Sequence, residues 1–178
     1  MVWMSETDAL DSRATTPTVV VVCGLPGVGK TTVAEDVADR VDGRVVRTDV
    51  VRKDLFPDPD YTPEESRQVY AELFARARQT VERGRSVVLD GTFKDAGLRD
   101  RAVELSESLD ADFRLVKVEC DEPVVRERIR SREDDESDAD FDVHAMFRDR
   151  FDPIATDHVT VDNSAGIAET TRQVDERF

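Results

Sequence analysis

Residues 19–41 constrain this chain most. Five consecutive apolar residues, 19–23, precede a segment that matches the pattern GxxxxGK[ST] in full: Gly24-Leu25-Pro26-Gly27-Val28-Gly29-Lys30-Thr31. A continuous run of β-branched residues is typical of a strand that is covered on both faces. Apolar residues at 34, 37, 38 and 41 then follow with helical spacing. The segment therefore predicts a strand, a glycine-rich loop and a helix, in that order.

Residues 24–31, called here the phosphate-binding loop, are of the types that wrapping a phosphate chain requires. Glycines let the backbone turn its N–H groups inward around the phosphates. The helix that starts at the loop adds the positive end of its dipole. Lys30 is placed to reach phosphate oxygens, and the Thr31 hydroxyl is placed to ligate Mg²⁺. We therefore predict that ATP and Mg²⁺ bind at residues 24–31 and at Thr32, with Lys30 also catalytic.

The rest of the chain alternates strand and helix patterns. Strands are predicted at 45–46, 86–90, 115–118 and 158–161, and helices near 63–83, 96–109, 123–130, 142–151 and 165–177. Residues 131–142 are strongly acidic and are predicted to form a mobile loop. The alternation indicates an α/β fold with a parallel sheet between two helical layers. We expect a disordered tail at 1–17 and one domain at 18–178.

Two aspartates follow predicted strands. In open α/β sheets ligands bind beyond the carboxyl ends of the strands, so Asp49 and Asp90 are both expected to face the phosphate site. Asp90 is predicted to support the metal or to orient the substrate; a turn or helix-capping role is the alternative. Asp49 is predicted to accept the proton of a substrate hydroxyl, while Arg52 binds the substrate. An N-cap role is the alternative for Asp49.

Four arginines alternate with other residues just after the fourth strand, at 126, 128, 130 and 132. On a helix Arg128 and Arg132 share one face. They are predicted to belong to a lid, about residues 126–150, and to neutralise charge on a transferred phosphoryl group. The alternative is a solvated helix face whose arginines pair with neighbouring acids. Arg99 and Arg101 are weaker candidates for binding the substrate.

The charge of the chain excludes some partners. Its 25 basic and 40 acidic residues give a net charge of −15, with Asp (25) well above Glu (15) and Arg (21) well above Lys (4). Such a chain lacks the net basic surface that generic nucleic-acid or anionic-membrane binding needs. The composition resembles that of proteins from salt-loving archaea. At molar salt the Debye length is ~3 Å, so an acidic surface repels itself little.

Apolar runs and cysteines indicate the compartment. No run of 18 apolar residues occurs, so no transmembrane helix and no membrane partner are predicted. The two cysteines, Cys23 and Cys120, lack the spacing of a metal site and are interpreted as buried thiols. A cytoplasmic location follows as an expectation.

Several motifs together resemble small P-loop kinases. They lie at residues 24–32, 48–56, 87–93, 126–132, 137–140 and 161–163. The chain is similar to an uncharacterised "predicted kinase" group often labelled AAA family ATPase. The same layout resembles polynucleotide 5′-kinases, chloramphenicol phosphotransferase and gluconate kinase.

The resemblance implies a three-layer P-loop fold with a five-stranded parallel sheet of order 2-3-1-4-5 and a lid. It implies that Asp49 is the general base or substrate anchor and that Arg128 and Arg132 are the lid pair. It also implies that Asp162 and Asn163 lie near the adenine.

We therefore expect an ATP-dependent kinase that phosphorylates a hydroxyl of a small molecule. Asp90 is followed by Gly91 rather than by the glutamate with which motor-type ATPases activate water, and no NKxD guanine motif occurs. A polynucleotide 5′-kinase, acting on a nucleic-acid end, and a nucleotide-binding regulatory protein without an acceptor are the alternatives. The sequence leaves the acceptor and the oligomeric state open.

Overall fold

The computed structural model describes residues 15–131 and 137–178, and of residues 137–140 the backbone alone. The strands are β1 Thr18–Cys23, β2 Gly43–Arg47, β3 Ser86–Asp90, β4 Asp112–Glu119 and β5 Val159–Asp162. The helices are α1 Lys30–Val41, α2 Thr48–Leu55, α3 Pro63–Glu82, α4 Ala96–Ser108, α5 Glu122–Ser131, α6 Ser137–Asp149 and α7 Ile167–Asp175.

The five strands form one parallel sheet with the order β2-β3-β1-β4-β5. This order and the helical layers confirm the predicted fold. Asp90 at the end of β3 is paired in register with Val22 of β1 on one side and with Arg47 of β2 on the other. The carboxyl ends of the strands therefore bring Asp90 between the phosphate-binding loop, which follows β1, and the residues that follow β2.

Both faces of the sheet are buried. Val19 and Val21 pack into a core with α3 and α4, whereas Val20 and Val22 pack into a second core with α1, α5 and α7. Because alternate side chains of a strand point to opposite faces, a strand between two helical layers must be apolar at every position. This explains the unbroken apolar run of β1. Because β1 is buried on both faces, it also anchors the start of the phosphate-binding loop that follows it.

The helix α3 begins at Pro63, directly after its capping residue Thr62. The hydroxyl of Thr62 accepts the N–H of Glu65 at 3.2 Å, and Pro63 is the first helical residue. The Glu65 carboxylate in turn accepts the backbone N–H groups of Asp60 and Tyr61 at 2.9 and 2.7 Å. The N–H of Asp60, with smaller help from Tyr61 and Arg52, holds the pKa of Glu65 below its usual range.

The structure differs from the predicted elements in two segments, the residues after the second strand and the predicted acidic loop. The second strand ends at Arg47, and helix α2, which the sequence pattern did not reveal, begins at Thr48. Val51 is the one buried apolar residue of this short helix, too few to show a helical period. Residues 137–142, predicted to be loop, belong to α6. Of the rest of that predicted loop, Ser131 is the last residue of α5, and residues 132–136 lie outside the described residues.

The two cysteines are free thiols, as predicted; Cys23 is buried, whereas Cys120, predicted to be buried as well, is only partly buried. Burial raises the pKa of Cys23 to about 11, so this thiol stays protonated at neutral pH. None of the helices in the described part of the chain combines the length and the apolar character that crossing a membrane would need.

Candidate active site

The phosphate-binding loop has the conformation that its glycines permit. Gly29 is the N-cap of α1 and is left-handed, with φ 87°. A Cβ atom at this position would lie 2.2 Å from Nδ2 of Asn163, so position 29 accepts glycine for two independent reasons. Helix α1 begins at Lys30, which directs its first N–H groups toward the loop. The Lys30 ammonium donates to the carbonyl of Leu25 at 3.0 Å, across the concave side of the loop.

The structure brings Thr31 and Asp90, both predicted site residues, into contact. The Thr31 hydroxyl donates to Oδ2 of Asp90 at 2.7 Å, although 59 residues separate them in the chain. Asp90 is 4% exposed. Burial raises the pKa of its carboxyl, and the Thr31 hydrogen bond and the charges of Lys30 and Arg47 act against this shift. A hydroxyl and a buried carboxylate at the start of α1 supply the oxygen ligands that Mg²⁺ prefers.

Asp49 lies beside this pair, in a different local structure from the one predicted. It is exposed in the first turn of α2, and the N-cap of that helix is Arg47. The N-cap alternative for Asp49 is therefore wrong. The negative charge of Asp49 makes a minor contribution to raising the pKa of Asp90, after the larger effect of burial.

Arg52 is engaged within the fold. Its guanidinium donates to Oε2 of Glu65 and to Oγ of Ser66, both at 3.1 Å, and lies 5.1 Å from the centre of the Tyr61 ring. These contacts tie α2 to the start of α3. The substrate role predicted for Arg52 would require it to leave or share the Glu65 carboxylate.

The two weaker arginine candidates, Arg99 and Arg101, both contact other parts of the chain. Arg99 is 3% exposed, and its guanidinium donates to four backbone carbonyls, those of Phe93, Lys94, Asp152 and Pro153. Arg101 lies over the Phe74 ring at 4.6 Å. The expectation that Arg99 binds substrate is wrong, because its buried donors are already used to connect two loops.

Asn163 connects the loop to the neighbouring elements. Its side chain donates from Nδ2 to the carbonyl of Val28 at 2.8 Å and accepts the Thr170 hydroxyl at 2.6 Å. Its backbone carbonyl accepts Nη2 of Arg128 at 2.7 Å. Asn163 is 6% exposed, so its side chain supports the loop backbone from the buried side. Arg128 also points Nη1 at the Cys120 sulfur, at 3.4 Å.

A cavity of about 420 Å³ borders the loop on the β4 and β5 side. Leu25, Val28, Phe151 and Ile154 give it apolar walls, and carboxylates line it as well: Glu119, Asp121, Asp152 and Asp162. Asp162, predicted to lie near the adenine, is thus a wall residue, and its Oδ1 also accepts the N–H of Ser164. Neither Asp49 nor Asp90 lines this cavity.

The helices of the predicted lid contact the loop and each other. Nδ1 of His144, on α6, is 2.7 Å from the carbonyl of Pro26. Arg148 of α6 pairs with Glu122 of α5 at 3.0 Å. Arg132, the second predicted lid arginine, lies outside the described residues.

Sequence reasoning missed Arg47. Its Nε lies 3.5 Å from Oδ2 of Asp90, the oxygen that also accepts Thr31. The residue was visible in the sequence directly before Thr48 and Asp49, but only the register of β2 with β3 shows that it reaches Asp90. His144 was missed as well, because nothing in the sequence around it signals its contact with the loop.

Curated proteins similar to this chain are longer than the match. An uncharacterized protein of Mycobacterium tuberculosis is 32% identical over 146 residues, which is 74% of this chain and 29% of that protein. A UPF0200 protein of Aeropyrum pernix is 40% identical over 84 residues, 41% of this chain and 45% of that protein. The matched region thus spans less than half of either relative.

Solved structures share the fold. A gluconokinase from Sinorhizobium meliloti superposes with a TM-score of 0.68 at 22% identity, covering 89% of this chain and 90% of that one. The Mycobacterium tuberculosis APS kinase CysC, solved with AMPPNP and APS, gives 0.69 at 18% identity, covering 90% and 96%. A structure titled APE1195 gives 0.73 at 20% identity, covering 91% and 93%.

The family assignment comes from the sequence itself. Residues 19–154, which include the phosphate-binding loop, Asp49, Asp90 and the described lid helices, match the model described as AAA domain. The chain belongs to the AAA domain family.

Proposed function

We propose that this protein is an ATP- and Mg²⁺-dependent kinase that transfers the γ-phosphoryl group of ATP to a hydroxyl of a small molecule. The observation that carries the proposal is the 2.7 Å contact of Thr31 with the buried Asp90 beside the phosphate-binding loop. Two oxygen ligands, a lysine and a helix start converge there, next to a further exposed carboxylate, Asp49.

The residues present fit a magnesium ion. The Thr31 hydroxyl and the Asp90 carboxylate are hard oxygen donors, and Asp90 is a carboxylate whose burial calls for a positive partner. These two residues would hold the ion, Asp90 directly or through water. Bound Mg²⁺ would supply neutralisation of the phosphate charge.

The chain's own residues position the reactants. The loop N–H groups bind the phosphates, and Lys30 exchanges its contact with the Leu25 carbonyl for phosphate oxygens. The hydroxyl oxygen of the acceptor bonds to the γ-phosphorus while the bond between this phosphorus and ADP breaks. Asp49 accepts the proton that the hydroxyl loses. Arg128 and Arg132 neutralise the charge that develops on the phosphoryl group. To do so, Arg128 gives up its hydrogen bond to the Asn163 carbonyl.

The two reactants occupy opposite sides of the loop in this proposal. The cavity beside β4 and β5 takes the nucleoside, because its apolar walls suit a base and its carboxylates accept hydrogen bonds from ribose hydroxyls or an amino group. The acceptor binds at the ends of β2 and β3, beside Asp49 and Asp90. The likeness to a gluconokinase and an APS kinase supports small-molecule transfer.

A mass-spectrometric screen tests the proposal. The protein is incubated with MgATP and pooled hydroxyl metabolites, and with RNA and DNA 5′ ends as a separate arm. We expect a phosphorylated small molecule that requires the wild-type protein and is absent with Lys30→Ala. Phosphorylation of nucleic-acid ends alone would favour a polynucleotide kinase, and ATP binding without any product would favour a regulatory nucleotide-binding protein.

A further inference from the structure

Arg47 has an unusual environment at the carboxyl end of β2. Its Nε lies 3.5 Å from Oδ2 of Asp90, is shielded from solvent and has no hydrogen-bond partner among the described residues. The side chain as a whole is 39% exposed. The guanidinium is therefore held by charge at its inner end, while its outer end is open to solvent at the edge of the site.

The other arginines of the site are already engaged. Arg52 binds Glu65 and Ser66, Arg99 binds four backbone carbonyls, and Arg128 binds the Asn163 carbonyl. For the guanidinium of Arg47 no hydrogen bond is found within residues 15–131 and 137–178. A guanidinium offers five N–H donors in a planar fork that fits a carboxylate or a phosphate.

The place of Arg47 in the sheet separates it from the ATP phosphates. The loop follows β1, Asp90 ends β3, and Arg47 ends β2, so Arg47 starts one strand beyond Asp90, about 4.8 Å farther from the loop. Asp49, the proposed proton acceptor, is two residues away on the same side. A ligand of Arg47 therefore belongs to the acceptor side.

We propose that Arg47 binds an anionic group of the acceptor, and hence that the acceptor is a hydroxyl compound that carries a carboxylate or a phosphate. This inference rests on the proposed kinase function and names its substrate class. It moves the substrate-binding role predicted for Arg52, whose guanidinium is hydrogen-bonded to Glu65 and Ser66, to Arg47.

The test compares three acceptor pools with MgATP: hydroxy acids, sugar phosphates, and neutral sugars with polyols. We expect phosphorylation in one of the two anionic pools, and that pool identifies the group. For the acceptor found, Arg47→Gln should raise KM about 10- to 100-fold, the usual effect of losing a charge-assisted hydrogen bond, with the KM of ATP within about 2-fold. Arg47→Lys should recover part of the loss, because it restores the charge without the fork.

Arg44→Gln is the matched control, because Arg44 is an exposed arginine of the same strand and its loss changes the net charge equally. Its kinetics should equal those of the wild type. Phosphorylation of the neutral pool alone, or a raised KM for ATP in place of the acceptor, would overturn the role of Arg47 and leave the kinase proposal standing. Phosphorylation of no pool, or failure of MgATP to bind in calorimetry, would overturn the kinase proposal itself, and this inference with it.

Discussion

Asp90 combines a proposed role in metal binding with a cost to folding. It is a carboxylate with 4% exposure, and burial raises its pKa. A raised carboxyl pKa means that the folded state binds protons more readily than the unfolded state, so stability falls as pH rises through that pKa. At neutral pH the ionised group therefore opposes folding, and Thr31, Lys30 and Arg47 only partly offset this.

Replacing Asp90 tests that conflict. Asp90→Asn keeps an oxygen for the Thr31 hydroxyl and removes the buried charge. We expect a Tm equal to or above the wild-type value at pH 7, an advantage that shrinks as pH falls toward ~4, where an ordinary carboxyl protonates. Calorimetric titration should show weaker Mg²⁺-dependent ATP binding. Asp112→Asn, at an exposed site, is the control; a lower Tm for Asp90→Asn at every pH would contradict the account.

At the scale of elements, the phosphate-binding loop depends on its neighbours. Asn163, at the end of β5, fixes the Val28 carbonyl, and Thr170 of α7 fixes Asn163. These two buried hydrogen bonds connect the loop with an element more than 130 residues away in the chain. The loop geometry is thus a property of the assembled sheet.

Variants of Asn163 and Thr170 separate the two bonds. Asn163→Ala leaves the Val28 carbonyl without its partner, so we expect a loss of about 1–3 kcal/mol in unfolding free energy and weaker MgATP binding. Thr170→Val leaves the bond to Val28 in place but removes the hydroxyl that contacts both Asn163 and the Gly166 carbonyl, and it should lower stability by about 1 kcal/mol while ATP affinity stays near wild type. Denaturant unfolding and calorimetry measure both. Unchanged ATP affinity in Asn163→Ala would show that the loop does not need this support.

A second prediction at this scale concerns α5 and α6, the helices of the proposed lid. His144 of α6 contacts the Pro26 carbonyl of the loop, and Arg148 of α6 pairs with Glu122 of α5. If Arg128 moves onto the phosphates, bound MgATP will bridge these helices and the loop. The amide hydrogen exchange of both helices should then slow. Helix α4, on the opposite face of the sheet, should not change. Equal exchange in α5 and α6 with and without bound nucleotide would argue against a lid.

The sequence predicted long or distinctive elements best. The apolar run of β1, the loop and the capped helix α3 each carry a local pattern, and all lie where expected. Helix α2 has one buried apolar residue, and the role of Arg47 depends on strand register. The carbonyl partners of Arg99 are 5 to 54 residues away in the chain, so no local pattern marks it as structural.

At the scale of the whole molecule, charge dominates. A net charge of −15 on 178 residues produces self-repulsion that opposes the compact state. Surface ion pairs such as Arg40 with Asp175 and Arg172 with Glu169 counter it locally, but exposed pairs contribute little each. We propose that the composition reflects adaptation to high salt.

Salt should therefore stabilise the protein. Raising KCl from low to molar concentration shortens the Debye length from ~30 to ~3 Å and screens the repulsion, so Tm should rise steadily. Differential scanning calorimetry across that range measures it. A flat or falling Tm would contradict the adaptation, since loss of the surface ion pairs would then outweigh the relief of repulsion.

The fate of the γ-phosphoryl group tests the kinase proposal most directly. With γ-labelled ATP, Mg²⁺ and the acceptor found by screening, the wild type should place the label on the acceptor in a single turnover. Asp49→Asn should bind ATP within about 3-fold of wild type, under ~1 kcal/mol, yet transfer about 10²–10⁴-fold more slowly, because only the proton acceptor is lost. Label released by the wild type solely as inorganic phosphate, at a rate that no acceptor changes, would contradict the account.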